Sequence, residues 1–418
     1  DTYAVDGGAV AAKLIILGVT ALVIGLSLEW FRGDARQAEY YSLILLSALG
    51  AVLLAGAADL MELVLGVLLS SATGYVLAAY HRTSRRSAEA AMKYYLLGAL
   101  TNGLLVFGAV LLFGLGGTTT FAGLGPQLAH TDPTALAAGV ALLVVGLAFK
   151  LGAVPAHTWV PDVADGAPAP VSAFVTVVPK LGALAALGRL ALILPDSGVG
   201  WRPLIAVLAA LTMTVGNVAA LRQNDVRRLL GWSAVSQAGY ALMAVVALGR
   251  SALATSALFY FLAAYAFAAV ASFGVVVALR GRAPLAAYGG LARTNPWLAA
   301  ALAVSFFSFI GIPPTAGFAG KVALFAATIE SNYAWLAVVA AANTVISLAY
   351  YGRVLAPMFF EPAASEAAGT AADNTPGTSR SDPFAAWAVS LSVLAVLAGG
   401  IAAQVIFAAL RSARLLPG

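Results

Sequence analysis

The chain has 418 residues, 61% of them hydrophobic and only 10% charged, with a formal net charge of +5 and a mean hydropathy of +0.92. A soluble domain carries roughly 25% charged residues, so the composition excludes an ordinary soluble fold and indicates a polytopic membrane protein. There is no cysteine, which excludes disulfides, thiol catalysis and cysteine-held iron–sulfur clusters. The three histidines, His81, His130 and His157, are too few for a haem or zinc centre held by this chain alone.

Twelve apolar segments approach the roughly 20 residues that a membrane-spanning helix needs. They run over 8–28, 40–57, 60–80, 88–115, 134–154, 169–194, 201–221, 227–249, 252–279, 296–329, 332–357 and 384–410. Abundant Gly and Ala suit close helix packing in lipid. The first segment carries Lys13 near its start, where the side chain can snorkel to the interface. Lys93, in the fourth, has Glu89 one turn before it, the spacing of a helix ion pair. Residues 116–132 leave room for a short interfacial helix. The fifth segment ends on Lys150 and breaks at Gly152–Pro155, and His157 and Trp159 follow. His157 reads either as a proton relay or as a cap on exposed backbone. Asp162 and Asp165 read as solvated caps on the acidic turn. The sixth segment carries Lys180 near its middle, and Asp225 is placed to cap the eighth. The tenth is broken at Pro313 and Pro314, with Gly311, Gly317 and Gly320 around them and Lys321 just after. Residues 361–383 have the composition of a disordered loop.

If the segments alternate sides, Arg32, Arg36, Arg82, Arg85, Arg86, Arg222, Arg227, Arg228, Arg280, Arg282, Arg293, Arg353 and Arg380 share one side. Arg189, Arg202, Arg250, Arg411 and Arg414 fall on or near the other. The positive-inside rule makes the first side cytoplasmic and both ends of the chain outward-facing. The excess of positive charge is thereby a topology signal, with no call for a nucleic-acid partner. The five lysines behave oppositely, since all lie inside predicted spans. A lysine at the centre of a span costs about 2.5–3.5 kcal/mol on insertion scales, so Lys150, Lys180 and Lys321 are expected to be functional. Buried lysine, unlike arginine, can exchange a proton near neutrality.

The two broken segments occupy matching places. Segments two to six and seven to eleven form units of five, each with its fourth member broken, and an odd number inverts one unit relative to the other. The expected fold is an all-α polytopic membrane protein. Residues 1–39 would hold the first helix and a cytoplasmic loop, 40–195 and 196–360 the two inverted repeats, 361–383 a disordered cytoplasmic loop, and 384–418 the last helix.

The stretches SAEAAMKYYLLGAL (87–100), FKLGAVPAHTWVPDVADGAPAPVSAF (149–174), VVPK (177–180), NDVRRLLGWSAVSQAGY (224–240) and GIPPTAGFAGK (311–321) carry a resemblance. The chain resembles the antiporter-like membrane subunits of respiratory complex I, most of all the subunit N type of bacterial NADH–quinone oxidoreductase. The family pattern has fourteen helices, and on it this chain begins at the third. The resemblance implies two half-channels joined by a central hydrophilic axis, with proton-carrying lysines at positions that match Lys93, Lys150, Lys180 and Lys321. It implies FMN, iron–sulfur clusters and quinone in partner subunits, none of them bound by this chain, and neighbouring membrane-arm subunits in a bacterial inner membrane. One position departs. The fifth family helix carries a glutamate in a G-x-E-L context, whereas this chain reads Gly66–Val67–Leu68–Leu69, with Leu68 in the carboxylate's place. The same fold is shared by multisubunit cation/proton antiporters and membrane-bound hydrogenases, and a structural subunit that has lost pumping is a third reading.

Overall fold

Several helix starts in this chain fall just after a short polar side chain that leads into an apolar run. The computed structural model describes residues 2–195, 200–362 and 382–415. The first half contains α1 (Gly7–Ser27), α2 (Gln37–Gly56), α3 (Leu60–Ala78), α4 (Arg85–Gly116), α5 (Phe121–Leu128), α6 (Pro133–Leu151), α7 (Trp159–Gly166), α8 (Ala169–Val175) and α9 (Val178–Ile193). The second contains α10 (Trp201–Leu221), α11 (Val226–Ala247), α12 (Ala254–Ala278), α13 (Leu291–Thr294), α14 (Pro296–Ile310), α15 (Ala316–Glu330), α16 (Ala334–Phe360), α17 (Pro383–Ile401) and α18 (Ala403–Leu410). Carboxylates of Asp6, Asp59, Asp132, Asp225 and Asp382 accept from first-turn amides of α1, α3, α6, α11 and α17. They satisfy donors that have no intrahelical partner. Asp225 is the cap that the sequence led us to expect.

Among the described residues, eleven helical runs are long and apolar enough to cross a membrane, with α8 and α9 counted as one. The broken pair α14–α15 supplies the twelfth crossing. The two units of five are α2, α3, α4, α6/α7, α8/α9 and α10, α11, α12, α14/α15, α16. Their first two helices pack alike. A Cβ on Gly50 of α2 would lie 2.6 Å from the Ser70 amide of α3, and one on Gly216 of α10 would lie 2.6 Å from the Ser236 amide of α11. Glycine is needed at both crossings because the backbones touch. The run α8–α9, α11 and α12 form the interior, while α4, α10, α16 and α17 turn apolar side chains such as Leu100, Val207, Val338 and Leu394 outward.

The interfacial helix expected in 116–132 is α5. The sixth segment holds a break that the sequence reading did not include: α8 ends at Val175 and α9 starts at Val178. Of the loop expected over 361–383, residues 363–381 lie outside the described residues. The arginines do gather at one end. Arg36 packs on Tyr80, Arg227 and Arg228 reach the α7–α8 region, and Arg353 meets the Leu221 carbonyl and Asn224. Two arginines do not behave as loop residues. Arg189 is fully buried in α9, bound to Asp6 at 2.6 and 2.7 Å, to the Ala55 carbonyl at 3.1 Å and to the Leu415 carbonyl. Arg202 is buried against the Val246 and Leu248 carbonyls, both at 2.7 Å. Each sits where otherwise unpaired carbonyls converge, which offsets the cost of burying a guanidinium.

Candidate functional site: three lysines at three helix breaks

Breaking a helix inside a membrane frees backbone groups that have no water to bind, so something must replace the lost partners. At the first break α6 ends in Gly152, whose left-handed φ of +66° favours glycine. The freed Phe149 carbonyl accepts from Trp159 Nε1 at 3.0 Å, and the Val154 amide donates to Thr212 Oγ1 at 3.1 Å. Pro155 sits within this gap and needs no acceptor. At the second break α14 ends in Gly311, φ +91°. The Phe309 carbonyl accepts from Gln237 Nε2 at 3.2 Å, and the Gly317 amide donates to Ser308 Oγ at 3.2 Å. Pro313 and Pro314 lie in that gap.

A lysine stands at each break. Lys150 occupies the last turn of α6 and donates to Ser70 Oγ of α3 at 3.3 Å. Lys321 lies in α15, seven residues past Pro314, and donates to the Ile310 carbonyl at 3.1 Å and to Thr344 Oγ1 at 3.4 Å. There it caps the C-terminus of α14, the end of a helix dipole that favours a cation. Its Nζ is also 4.0 Å from the centre of the Tyr240 ring. Lys180 is the third residue of α9, directly after the unexpected break, rather than in mid-helix. It donates to the Ala234 carbonyl of α11 at 2.5 Å and lies 5.1 Å from the Tyr265 ring, whose hydroxyl holds the Thr176 carbonyl of the break.

Lys150 is 1% exposed, Lys180 3% and Lys321 4%. Among the described residues none of the three has a carboxylate within ion-pairing distance. Three buried ammonium groups without counter-ions are expensive, and a fold that keeps all three places polar atoms around each. α11 carries much of that lining. Ser233, Gln237 and Tyr240 recur at helical spacing along it, over the stretch that runs from the Lys180 contact at Ala234 to the Lys321 contact at Tyr240. The Tyr240 hydroxyl meets Thr344 Oγ1 at 2.9 Å, and Ser233 meets the Tyr351 hydroxyl at 2.5 Å. The sequence reading missed this row, although polar residues three and four apart in an apolar helix are the signal that marks it.

Other expected residues lie elsewhere. Lys93 is 49% exposed and pairs with Glu89 at 2.7 Å and with Asp162 at 3.0 Å, apart from the buried lysines. Asp162 also binds Arg228 at 2.8 Å, and Asp165 lies 3.9 Å from the same guanidinium. These aspartates are therefore members of an ion-pair cluster rather than solvated caps, because α4, α7 and α11 bring their charges to one pocket. The His157 ring faces Trp232 at 5.6 Å, its Nδ1 is buried without a partner among the described residues, and no hydrogen bond joins it to the three lysines. Lys13 rests over the Tyr3 ring at 4.5 Å, at the α1 end where snorkelling was expected. Leu68 is 42% exposed on the outer face of α3, whereas Ser70, two residues on, turns inward to Lys150. Among the described residues no three His, Asp or Glu side chains gather as metal ligands would.

A family described as NADH:quinone oxidoreductase/Mrp antiporter, transmembrane, matches residues 57–347. The chain belongs to this family. Within it, NADH-quinone oxidoreductase subunit N of Mycobacterium sp. (strain JLS) is 47% identical over 360 residues, 86% of this chain and 76% of the relative. Subunit N 1 of Streptomyces griseus is 41% identical over 401 residues, 96% of this chain and 84% of the relative. Respiratory complex I from Thermus thermophilus with bound aureothin contains a chain 32% identical to this one, with a TM-score of 0.82 over 99% of this chain and 88% of that one. A chain of the archaeal membrane-bound sulfane sulfur reductase has a TM-score of 0.84 at 23% identity, covering 96% of this chain and 81% of that one. One of the Mrp complex from Dietzia sp. DQ12-45-1b has 0.82 at 24%, covering 96% and 82%. The last two likenesses show the fold alone. The antiporter-like family membership agrees with the two broken helices, and the subunit N likeness with the sequence stretches that carry them.

Proposed function

We propose that this chain is the proton-translocating, antiporter-like membrane-arm subunit of a complex I-type NADH:quinone oxidoreductase in a bacterial inner membrane. The observation that carries the reading is the set of three buried lysines, each at a helix break and each with polar but uncharged partners. A lysine so placed can change charge without breaking an ion pair. Lys150 would exchange protons with the central Lys180, and Lys321 would serve the far half-channel, with the polar row on α11 between them. Lys93, in its open pocket with Glu89, Asp162 and Arg228, fits proton uptake from the cytoplasmic end better than storage inside. His157 would relay at the first break. The redox chemistry would belong to neighbouring subunits holding FMN, iron–sulfur clusters and quinone, since a chain without cysteine offers no thiolates for a cluster.

A second reading has a specific observation behind it. Leu68 replaces the glutamate that the family resemblance implies, so a structural subunit that no longer pumps would look similar at that position. The family description also names Mrp antiporters, which keeps a cation/proton antiporter in view. Purification of the intact assembly separates the assignments. Copurifying flavin and iron–sulfur subunits, with NADH-driven proton movement in resealed vesicles, are the expected result. An assembly without redox subunits would overturn the complex I assignment, and a redox-active assembly whose proton yield is insensitive to this chain's lysines would leave the structural reading.

A further inference from the structure

Arginine on the outward side of a membrane protein runs against the positive-inside rule, so each instance calls for a physical reason. Arg189 and Arg202 have one, since both are buried and bound to carbonyls, and Arg189 to Asp6 as well. Arg411 and Arg414 do not. Both are exposed, and among the described residues neither guanidinium has a hydrogen-bond or ion-pair partner. They line one pocket together with Leu192, Ser251, Thr255 and Ser256.

The pocket has a volume of about 470 Å³. Among the described residues no acidic side chain lines it. The carboxylate nearest to the lining is that of Glu330, which accepts from Ser251 Oγ at 2.5 Å. Thr255 and Ser256 belong to the first turn of α12, where amide N–H groups lack intrahelical acceptors and the helix dipole favours an anion. Two guanidiniums unpartnered among the described residues, the Thr255 hydroxyl and a helix start thus share one concave surface, while the Ser251 and Ser256 hydroxyls donate elsewhere, to Glu330 and to the Leu253 carbonyl. Leu192, half-exposed, and Leu410 supply apolar lining on the same surface.

We propose that this pocket binds the phosphate headgroup of an anionic phospholipid, with Arg411 and Arg414 as its ligands and the acyl chains along the apolar lining. A guanidinium presents paired donors that match phosphate oxygens, which a hydrated lysine ammonium does not. The apolar lining is what favours a lipid over free phosphate. The site does not depend on what the buried lysines do.

The test uses the full assembly purified in detergent and depleted of lipid. It is incubated with phosphatidylglycerol, with phosphatidylcholine or with inorganic phosphate, and bound ligand is counted by native mass spectrometry. Phosphatidylglycerol should bind in preference to phosphatidylcholine. Arg411→Gln/Arg414→Gln should lose one equivalent or weaken it at least tenfold, with all subunits still assembled and NADH oxidation unchanged. An equal phosphatidylglycerol count in the double variant overturns the site. Inorganic phosphate bound in an arginine-dependent way without the lipid overturns the lipid assignment.

Discussion

Lys150 and Leu68 show how far a single residue carries the argument. A charge at the end of an apolar run is visible in sequence, and the structure buries Lys150, Lys180 and Lys321 within the helix packing. Their partners were not visible, because Ser70 lies 80 residues from Lys150, and Ala234 lies 54 from Lys180. Arg189 escaped for the same reason, since Asp6 lies 183 residues away. Replacing one member of a buried ion pair costs about 3–5 kcal/mol, because the other charge is left unpaired. Arg189→Met should therefore lower the Tm of the purified assembly markedly, and adding Asp6→Asn should restore part of the loss; an unchanged Tm in Arg189→Met would refute the role given to this pair. The carboxylate question also belongs to single residues. Leu68 faces outward, and Glu62, six residues before it in the first turn of α3, lies on another face and near the α3 start. Glu62→Gln should leave pumping nearly intact. A loss in Glu62→Gln as deep as that of a buried-lysine variant would show that the carboxylate had moved along the helix.

The broken elements were legible where Gly and Pro cluster. Gly152 and Pro155, then Gly311, Pro313 and Pro314, stop a helix by local chemistry that a sequence displays. The break at Thr176–Val177 has a single mark, Pro179 in the first turn of α9, which cannot donate to the Val175 carbonyl; the expected breaks do not include it, and Tyr265, from α12, holds the freed Thr176 carbonyl. Glycine at the second break is required by space as well as by conformation. A Cβ on Gly317 would lie 1.8 Å from the Ser308 carbonyl oxygen, whereas one on Gly18 would meet nothing within 4 Å. Gly317→Ala should push α14 and α15 apart at a cost of about 1–3 kcal/mol. It should weaken the Lys321 contact with Ile310, and Gly18→Ala should be neutral. Comparing Tm and pumping of the two variants checks this, and equal behaviour would remove the reason given for glycine at 317.

At the scale of the whole molecule, the arginine distribution gave an orientation and the contacts of Arg36, Arg227, Arg228 and Arg353 bring those residues to common ground. The loop at 81–87 and residues 361–383 are expected in the cytoplasm. A single cysteine placed in either, in a chain that has none of its own, should resist an impermeant thiol reagent added to intact cells; labelling from outside would reverse the orientation. The inverted repeats were legible from the matching places of two breaks, while the continuous polar row on α11 emerged only when Tyr240, Thr344 and Lys321 were brought together from three segments. The central claim is that buried lysines carry the proton. Its most direct measurement is NADH-driven proton uptake by inverted membrane vesicles from cells expressing Lys150→Ala or Lys180→Ala, normalised to assembled complex. A small apolar residue removes a charge that is unfavourable at that depth, so assembly should persist. Proton uptake per NADH attributable to this subunit should fall about tenfold or more, as loss of a positioned proton-transfer group implies. Undiminished uptake in both variants, with the assembly intact, would contradict the account.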